Sequence, residues 1–174
     1  MSENTLIRHD MRDLIGSPYA RRISYPVSAS DIRKWARAVH HPRPAPVRYT
    51  DPAAEDGDLL APYDFNPFAW GCAEQIPDPG ALELDEAYKN SGAMEHRLGV
   101  TPPNLRRALN GGLRVDYGTA RMRPGHVITA QSAVAGYEEK QGRLGTMLLT
   151  EVATTWTNQE GRLVKTLRMT LIRY

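Results

Sequence analysis

"GTMLLTEVATTWTNQEGRLVKTLRMTLIRY", residues 145–174, is the stretch that decides the fold. It is two long runs rich in apolar and β-branched residues, joined by "QEGR" (159–162). In the second run Leu163, Lys165, Leu167, Met169 and Leu171 share one face, and Val164, Thr166, Arg168, Thr170 and Ile172 share the other. A period of two is the signature of a strand. Upstream, "VITAQSAVAGYEEK" (127–140) alternates in the same way and ends in the turn "QGRL". Before it come "GGLRVDYGTA" (111–120), a short strand after a glycine pair, and "RMRPGH", a turn with Pro124-Gly125 at its centre. Three long strands joined by short glycine turns predict an antiparallel meander. One face of such a sheet must be covered by the rest of the chain.

The first half supplies the cover. In "SDIRKWARAVHH" (30–41), Ile32, Trp35, Ala36 and Val39 recur at i, i+3, i+4 and i+7, which predicts an amphipathic helix. Ser30 is its expected N-cap, Asp31 suits the positive first turn, and Pro42 and Pro44 stop it after His41. "LLAPYDFNPFAWGCAEQ" (59–75) is apolar and aromatic, and Asn66-Pro67 reads as a helix start. A short buried helix is expected from about Pro67 to Ala73. Residues 76–108 hold "IPDPG", "NSG" and "TPP" and read as a long loop or insertion, with room for a short helix in "DEAYKNSGAMEHRLG".

The 174 residues suffice for one domain with a full core, spanning 1–174. The formal charge is +2 and the basic residues are scattered, which argues against nucleic acid as the main partner. The single cysteine, Cys72, excludes an intramolecular disulfide and a thiolate zinc site within one chain, and fits a reducing compartment. No apolar run approaches membrane-helix length, and the opening "MSENTLIRHDMRDLIG" is unlike a secretory signal. A soluble, cytoplasmic protein without a metal is expected.

The order of these segments is more specific than the fold class. "SASDIRKWARAV", "YTDPAA", "LLAPYDF", "LNGGLRVDYGTARMRPGHVITAQSAV" and "TNQEGRLVKTLRMTLIRY" together resemble the MaoC-like, FAS1-like dehydratase N-terminal domains, relatives of R-specific enoyl-CoA hydratase 2. The resemblance covers about 14–174, apart from a poorly matching 76–105. It implies an α+β hot-dog domain, a curved antiparallel sheet wrapped around a central helix. It also implies a coenzyme A or other acyl thioester as substrate, with no further cofactor. Family members hydrate enoyl-CoA compounds or dehydrate 3-hydroxyacyl thioesters, using an Asp and a His on one water. The expected partner is a second MaoC-like hot-dog subunit, in a homodimer or heterodimer.

Set against the family's "AVGDPNPLHTD", the stretch "AVHHPRPAPVRYTD" (38–51) puts His40 on the Gly, His41 on the catalytic Asp and Arg43 on the Asn. The catalytic His falls on or near Arg48 or Tyr49. Arginine is permanently charged and cannot shuttle a proton, so the usual pair reads as degenerate. Three readings follow: a pocket-shaping subunit beside a catalytic partner, an active enzyme with a rebuilt site, and a non-catalytic acyl-thioester binding protein. For a rebuilt site the catalytic candidates are His41, because an imidazole as such can act as a base near neutral pH, and Asp64, whose aromatic neighbours suggest burial. The plain alternatives are a histidine pair capping a helix C-terminus and an aspartate capping a turn. Tyr63, Asn66, Trp70, Arg48, Arg121 and Arg123 are the substrate-binding candidates. The arginines suit coenzyme phosphates, although a solvated basic face is the alternative for Arg121 and Arg123.

Overall fold

The computed structural model describes residues 5–52, 58–77, 92–143 and 145–174. Residues 78–91 of the expected loop 76–108 therefore lie outside the described residues. A six-stranded sheet organises the rest. Its strands are β1 (Pro18–Ile23), β2 (Glu74–Ile76), β3 (Ala108–Tyr117), β4 (Thr129–Gly142), β5 (Gly145–Thr157) and β6 (Leu163–Arg173), in the order β2-β1-β4-β5-β6-β3. Every pairing is antiparallel. Register shifts at Pro18/Ala20, Asn110/Gly112, Val134/Gly136 and Trp156/Thr157 mark bulges, which bend and twist a sheet locally. The result is the curved antiparallel layer of the hot-dog fold.

The turns form where glycine and proline place them. Gly125 has φ +83°, and the His126 N–H closes the Pro124-Gly125 turn on Arg123 O at 3.1 Å. At the β5–β6 turn Asn158 Oδ1 accepts from the N–H groups of Glu160 (3.1 Å) and Arg162 (2.9 Å), and Gly161 takes φ +75°. β3 is longer than the short strand expected, because pairing with β6 extends it to ten residues.

Four helices are described: α1 (His9–Arg12), α2 (Ala29–His40), α3 (Val47–Thr50) and α4 (Ala93–Arg97). α2 is the longest of them and packs into the main core, whereas the central helix expected at Asn66-Pro67 is absent. Its cap is Ser28 and not the expected Ser30: the Asp31 N–H donates to Ser28 Oγ at 3.0 Å, and Ser28 is the residue with extended backbone. Ile32 and Ala36 are fully buried in one cluster with Phe65, Phe68, Ile128, Ala130 and Trp156. The expected stripe stops short, since Val39 is 46% exposed. Trp35 bridges outward, edge-on to Phe65 at 5.7 Å and tilted on Trp70 at 5.9 Å.

The short helix expected at Pro67–Ala73 is not formed; Pro67–Trp70 is a turn. Asn66 does cap it, its Oδ1 accepting from the Phe68 N–H at 3.0 Å. But Gly71, at φ +111°, ends the turn four residues after the proline.

The same sheet face carries a second core beyond α2. Val134 and Val152 pack with Met94 of α4. Beside them lies a fully buried ion pair, Arg173 with Glu95. Arg173 also donates to Thr150 Oγ1 at 2.8 Å, and the Tyr137 hydroxyl donates to Glu95 Oε1 at 3.1 Å. Burial, and then the negative charge of Glu95, push the Tyr137 pKa well above the usual phenol range, so this hydroxyl stays a donor. Among the described residues no helix is long and apolar enough to cross a membrane.

Candidate functional site

α2 ends at His40, and the chain turns through α3 toward the segment 58–65. Between them opens a cavity of about 560 Å³. Leu59, Leu60, Pro62 and Tyr49 give it an apolar lining, and His40, Arg48, Asp58, Tyr63 and Arg121 its polar groups. Its floor is fixed, because Tyr49 and Leu59 belong to the main core cluster.

The wall formed by residues 61–65 is held from three directions. The Ala61 N–H donates to Met122 O at 2.9 Å, and Arg121 Nη2 donates to Ala61 O at 2.8 Å. The Arg121 guanidinium lies 3.8 Å from the centre of the Tyr63 ring, while Tyr117 meets that ring edge-on at 4.8 Å. From below, Lys165 Nζ donates to Tyr63 O (3.3 Å) and Phe65 O (3.4 Å) and sits 4.2 Å from the Trp156 ring. Lys165 is only 4% exposed. Its burial pulls its pKa below the usual lysine value, with the charge of Asp64 opposing the shift.

Two guanidinium groups face this cavity without an ion-pair partner among the described residues. Arg121 is tied only to a carbonyl and a ring, and Arg48 lies 4.9 Å above the ring of Tyr49. Apolar walls with two free guanidinium groups suit an amphipathic anion. Beyond Arg121 lies a second hollow, lined also by Arg123, His126, Asn158 and the ion pair Arg162–Glu160, 3.0 Å apart.

The sequence candidates divide cleanly. Tyr63, Arg48 and Arg121 line the cavity. His41 is exposed and outside the lining; as the C-cap of α2, its backbone N–H donates to Ala38 O at 3.3 Å. Asp64 is also exposed and outside the lining, so the burial expected from its aromatic neighbours is missing. Its backbone turns the carboxylate to solvent while Phe65 takes the core position. Asn66 caps a turn, Trp70 packs on Trp35 while 53% exposed, and Arg123 lines the neighbouring hollow; none of the three lines the cavity. The sequence does not single out Asp58 and Lys165 for the site, and it offers His40 with His41 as a pair capping the helix C-terminus or lining the substrate; the His40 ring does meet a helix carbonyl, Ala36 O, at 2.7 Å. Only His40 had a usable signal, four residues after the buried Ala36 at the last helical position.

A family model described as "FAS1-like, dehydratase domain region" matches residues 13–167. The chain belongs to this family. Two solved structures show the same fold. The chain is 15% identical to a chain of the ChsH1-ChsH2 complex from Mycobacterium tuberculosis, with TM-score 0.58, covering 95% of this chain and 89% of that one. It is 19% identical to a MaoC-like dehydratase, with TM-score 0.53, over 92% of its own length but 42% of that chain. No curated protein sequence matches it significantly. Of the loop residues after α2, His41 lies outside the cavity, and Arg48 and Tyr49 line it.

Proposed function

We propose that this chain is a subunit of an acyl-thioester hydratase/dehydratase. It pairs with a second MaoC-like hot-dog chain that carries the acid/base pair, and it shapes the pocket for the acyl group. The observation that carries this reading is what the loop after α2 brings to the cavity. Of the positions that the resemblance aligns with the family's acid/base pair, His41 lies outside the lining, and Arg48 and Tyr49 line it with a guanidinium and a phenol. The apolar lining suits an acyl chain. The hollow beyond Arg121 adds Arg123, with Arg162 already paired to Glu160 at 3.0 Å, and in this reading it takes the phosphates of coenzyme A.

Pairing is supported by the sheet edge. β3 lies at the end of the strand order and exposes Leu109, Leu113 and Tyr117, at 52%, 60% and 49%. A ten-residue edge with free backbone groups and large apolar side chains is a template for another strand. The likeness to the ChsH1-ChsH2 complex, a two-protein assembly, points the same way.

The test is purification from the native host followed by hydration of crotonyl-CoA, read as loss of conjugated-thioester absorbance. The expected result is a co-purifying hot-dog partner, an active complex and an inactive isolated chain. Turnover by the isolated chain at the rate of the complex would overturn the reading. It would favour a rebuilt site, for which one observation speaks: His40 and Asp58 line the same cavity.

A further inference from the structure

The cavity contains an imidazole that the family motif does not assign. His40 Nδ1 lies 2.7 Å from Ala36 O. A carbonyl oxygen only accepts, so Nδ1 must carry the proton in that bond. In the neutral ring the other nitrogen, Nε2, then has a free lone pair. No hydrogen bond from a described residue occupies Nε2, and His40 is half-buried in the cavity lining. The backbone of α2 thereby fixes both the ring orientation and the tautomer, as second-sphere carbonyls do for working histidines.

The other polar groups of the lining differ from it. Arg48 and Arg121 are obligate donors. Asp58 is an acceptor, but it is exposed, where water competes for its oxygens. The hydroxyls of Tyr49 and Tyr63 can either donate or accept, and no hydrogen bond from a described residue fixes which. Nε2 is thus a half-buried acceptor whose role the backbone of α2 sets. A ligand that matches it brings a hydroxyl donor on an otherwise apolar body.

We propose that His40, through Nε2, accepts a hydrogen bond from the 3-hydroxyl of a bound 3-hydroxyacyl thioester and so selects the hydroxylated over the saturated acyl group. This rests on the thioester reading above, and the test separates the two. The full chain, with any partner that co-purifies, is titrated calorimetrically with 3-hydroxybutyryl-CoA and with butyryl-CoA, which lacks the hydroxyl. The same titrations are made on His40→Asn and His40→Gln. Asparagine places its amide nitrogen near the Nδ1 position and keeps the bond to Ala36 O, but has no group at Nε2. Glutamine reaches the Nε2 position and gives up the helix bond.

The expected result is that the wild-type protein prefers the hydroxyacyl thioester by about fivefold, as one net hydrogen bond allows. His40→Asn should melt within about 2 °C of wild type and show no preference. His40→Gln should melt lower and keep part of the preference. A preference that survives in His40→Asn, or is absent from the wild type, overturns the assignment of His40 and leaves the thioester reading standing. Binding of neither thioester by the wild-type protein overturns both.

Discussion

Lys165→Met tests whether the buried lysine organises the wall of the cavity. The substitution keeps the length of the apolar stem and removes the charge. It deletes two hydrogen bonds to Tyr63 O and Phe65 O, at 3.3 and 3.4 Å, and the stacked cation 4.2 Å from the Trp156 ring. Bonds this long from a charged donor sit at the weak end of their range, about 1 kcal/mol each, and a desolvated cation–π contact contributes about 1–2 kcal/mol. Methionine also avoids burying a charge, which offsets part of the loss. The net cost is about 2 kcal/mol, or a melting temperature lower by about 4–8 °C for a domain of this size. The pH dependence has a definite sign. Burial lowers the folded-state pKa of Lys165 below its model value of 10.5. Well below the lowered value both states hold the proton, and the gap between wild type and variant is constant. Between that value and 10.5 the unfolded chain binds the proton and the folded one does not, so wild-type stability rises with pH and the gap widens. Urea denaturation of both proteins from pH 7 to pH 10 measures this. A variant as stable as wild type, or a gap that narrows as pH rises, refutes the reasoning.

Three further substitutions probe the rest of the scaffold. Glu95→Gln strands the Arg173 charge in a fully buried site and should cost about 3–5 kcal/mol, seen as a melting temperature at least about 6 °C lower; the double replacement Glu95→Leu with Arg173→Met should recover most of it. Ser28→Ala removes the acceptor for the Asp31 N–H and should cost about 1 kcal/mol in chemical denaturation, whereas Ser30→Ala should cost less than half as much. His41→Ala should leave thioester affinity and turnover of the complex unchanged, because that side chain is exposed and outside the cavity, although it occupies the motif position of the family's catalytic carboxylate.

The sheet was legible because alternation, glycine turns and β-branched residues all agree over 127–174, so each local preference supports the same pairing. The helix was legible for the same reason, within two residues at its cap. The turn at 67–70 was misread because Asn66-Pro67 is a sound start signal, and the stop at Gly71 needs a count of residues that a start signal does not include. The site was only half legible. Tyr63, Arg48 and Arg121 carry chemistry that suits a pocket anywhere, and the fold happens to gather them. Choosing between His40 and His41 requires knowing where the helix ends, and a one-residue step around a helix turns a side chain by about 100°. Asp64 was misplaced for a related reason: in an irregular segment no period says which of Tyr63, Asp64 and Phe65 points inward.

β6 shows why burial alternation alone misses charge that matters. Its inward row runs Lys165, Leu167, Met169, Leu171, Arg173, with a cation at each end of three apolar residues. The two ends are handled differently. At Arg173, Glu95 of α4 neutralises the charge, and Thr150 takes a further donor, so that end is closed and structural. At Lys165 only carbonyls and an indole meet the ammonium group, and no carboxylate among the described residues reaches ion-pair distance. The nearest acid invoked, Asp64, is solvent-exposed, where its field is screened. The uncompensated charge therefore lies directly behind the wall that also carries Arg121, with Arg48 across the cavity. The lining holds two guanidinium groups to one carboxylate, Asp58, and Lys165 adds a third cation from behind the wall, where a low dielectric lets its charge act farther. A structural latch and an anion-attracting site thus arise from the same residue. That is why a lysine on the inward face of a strand is consistent with the function proposed, although it breaks the strand's apolar pattern.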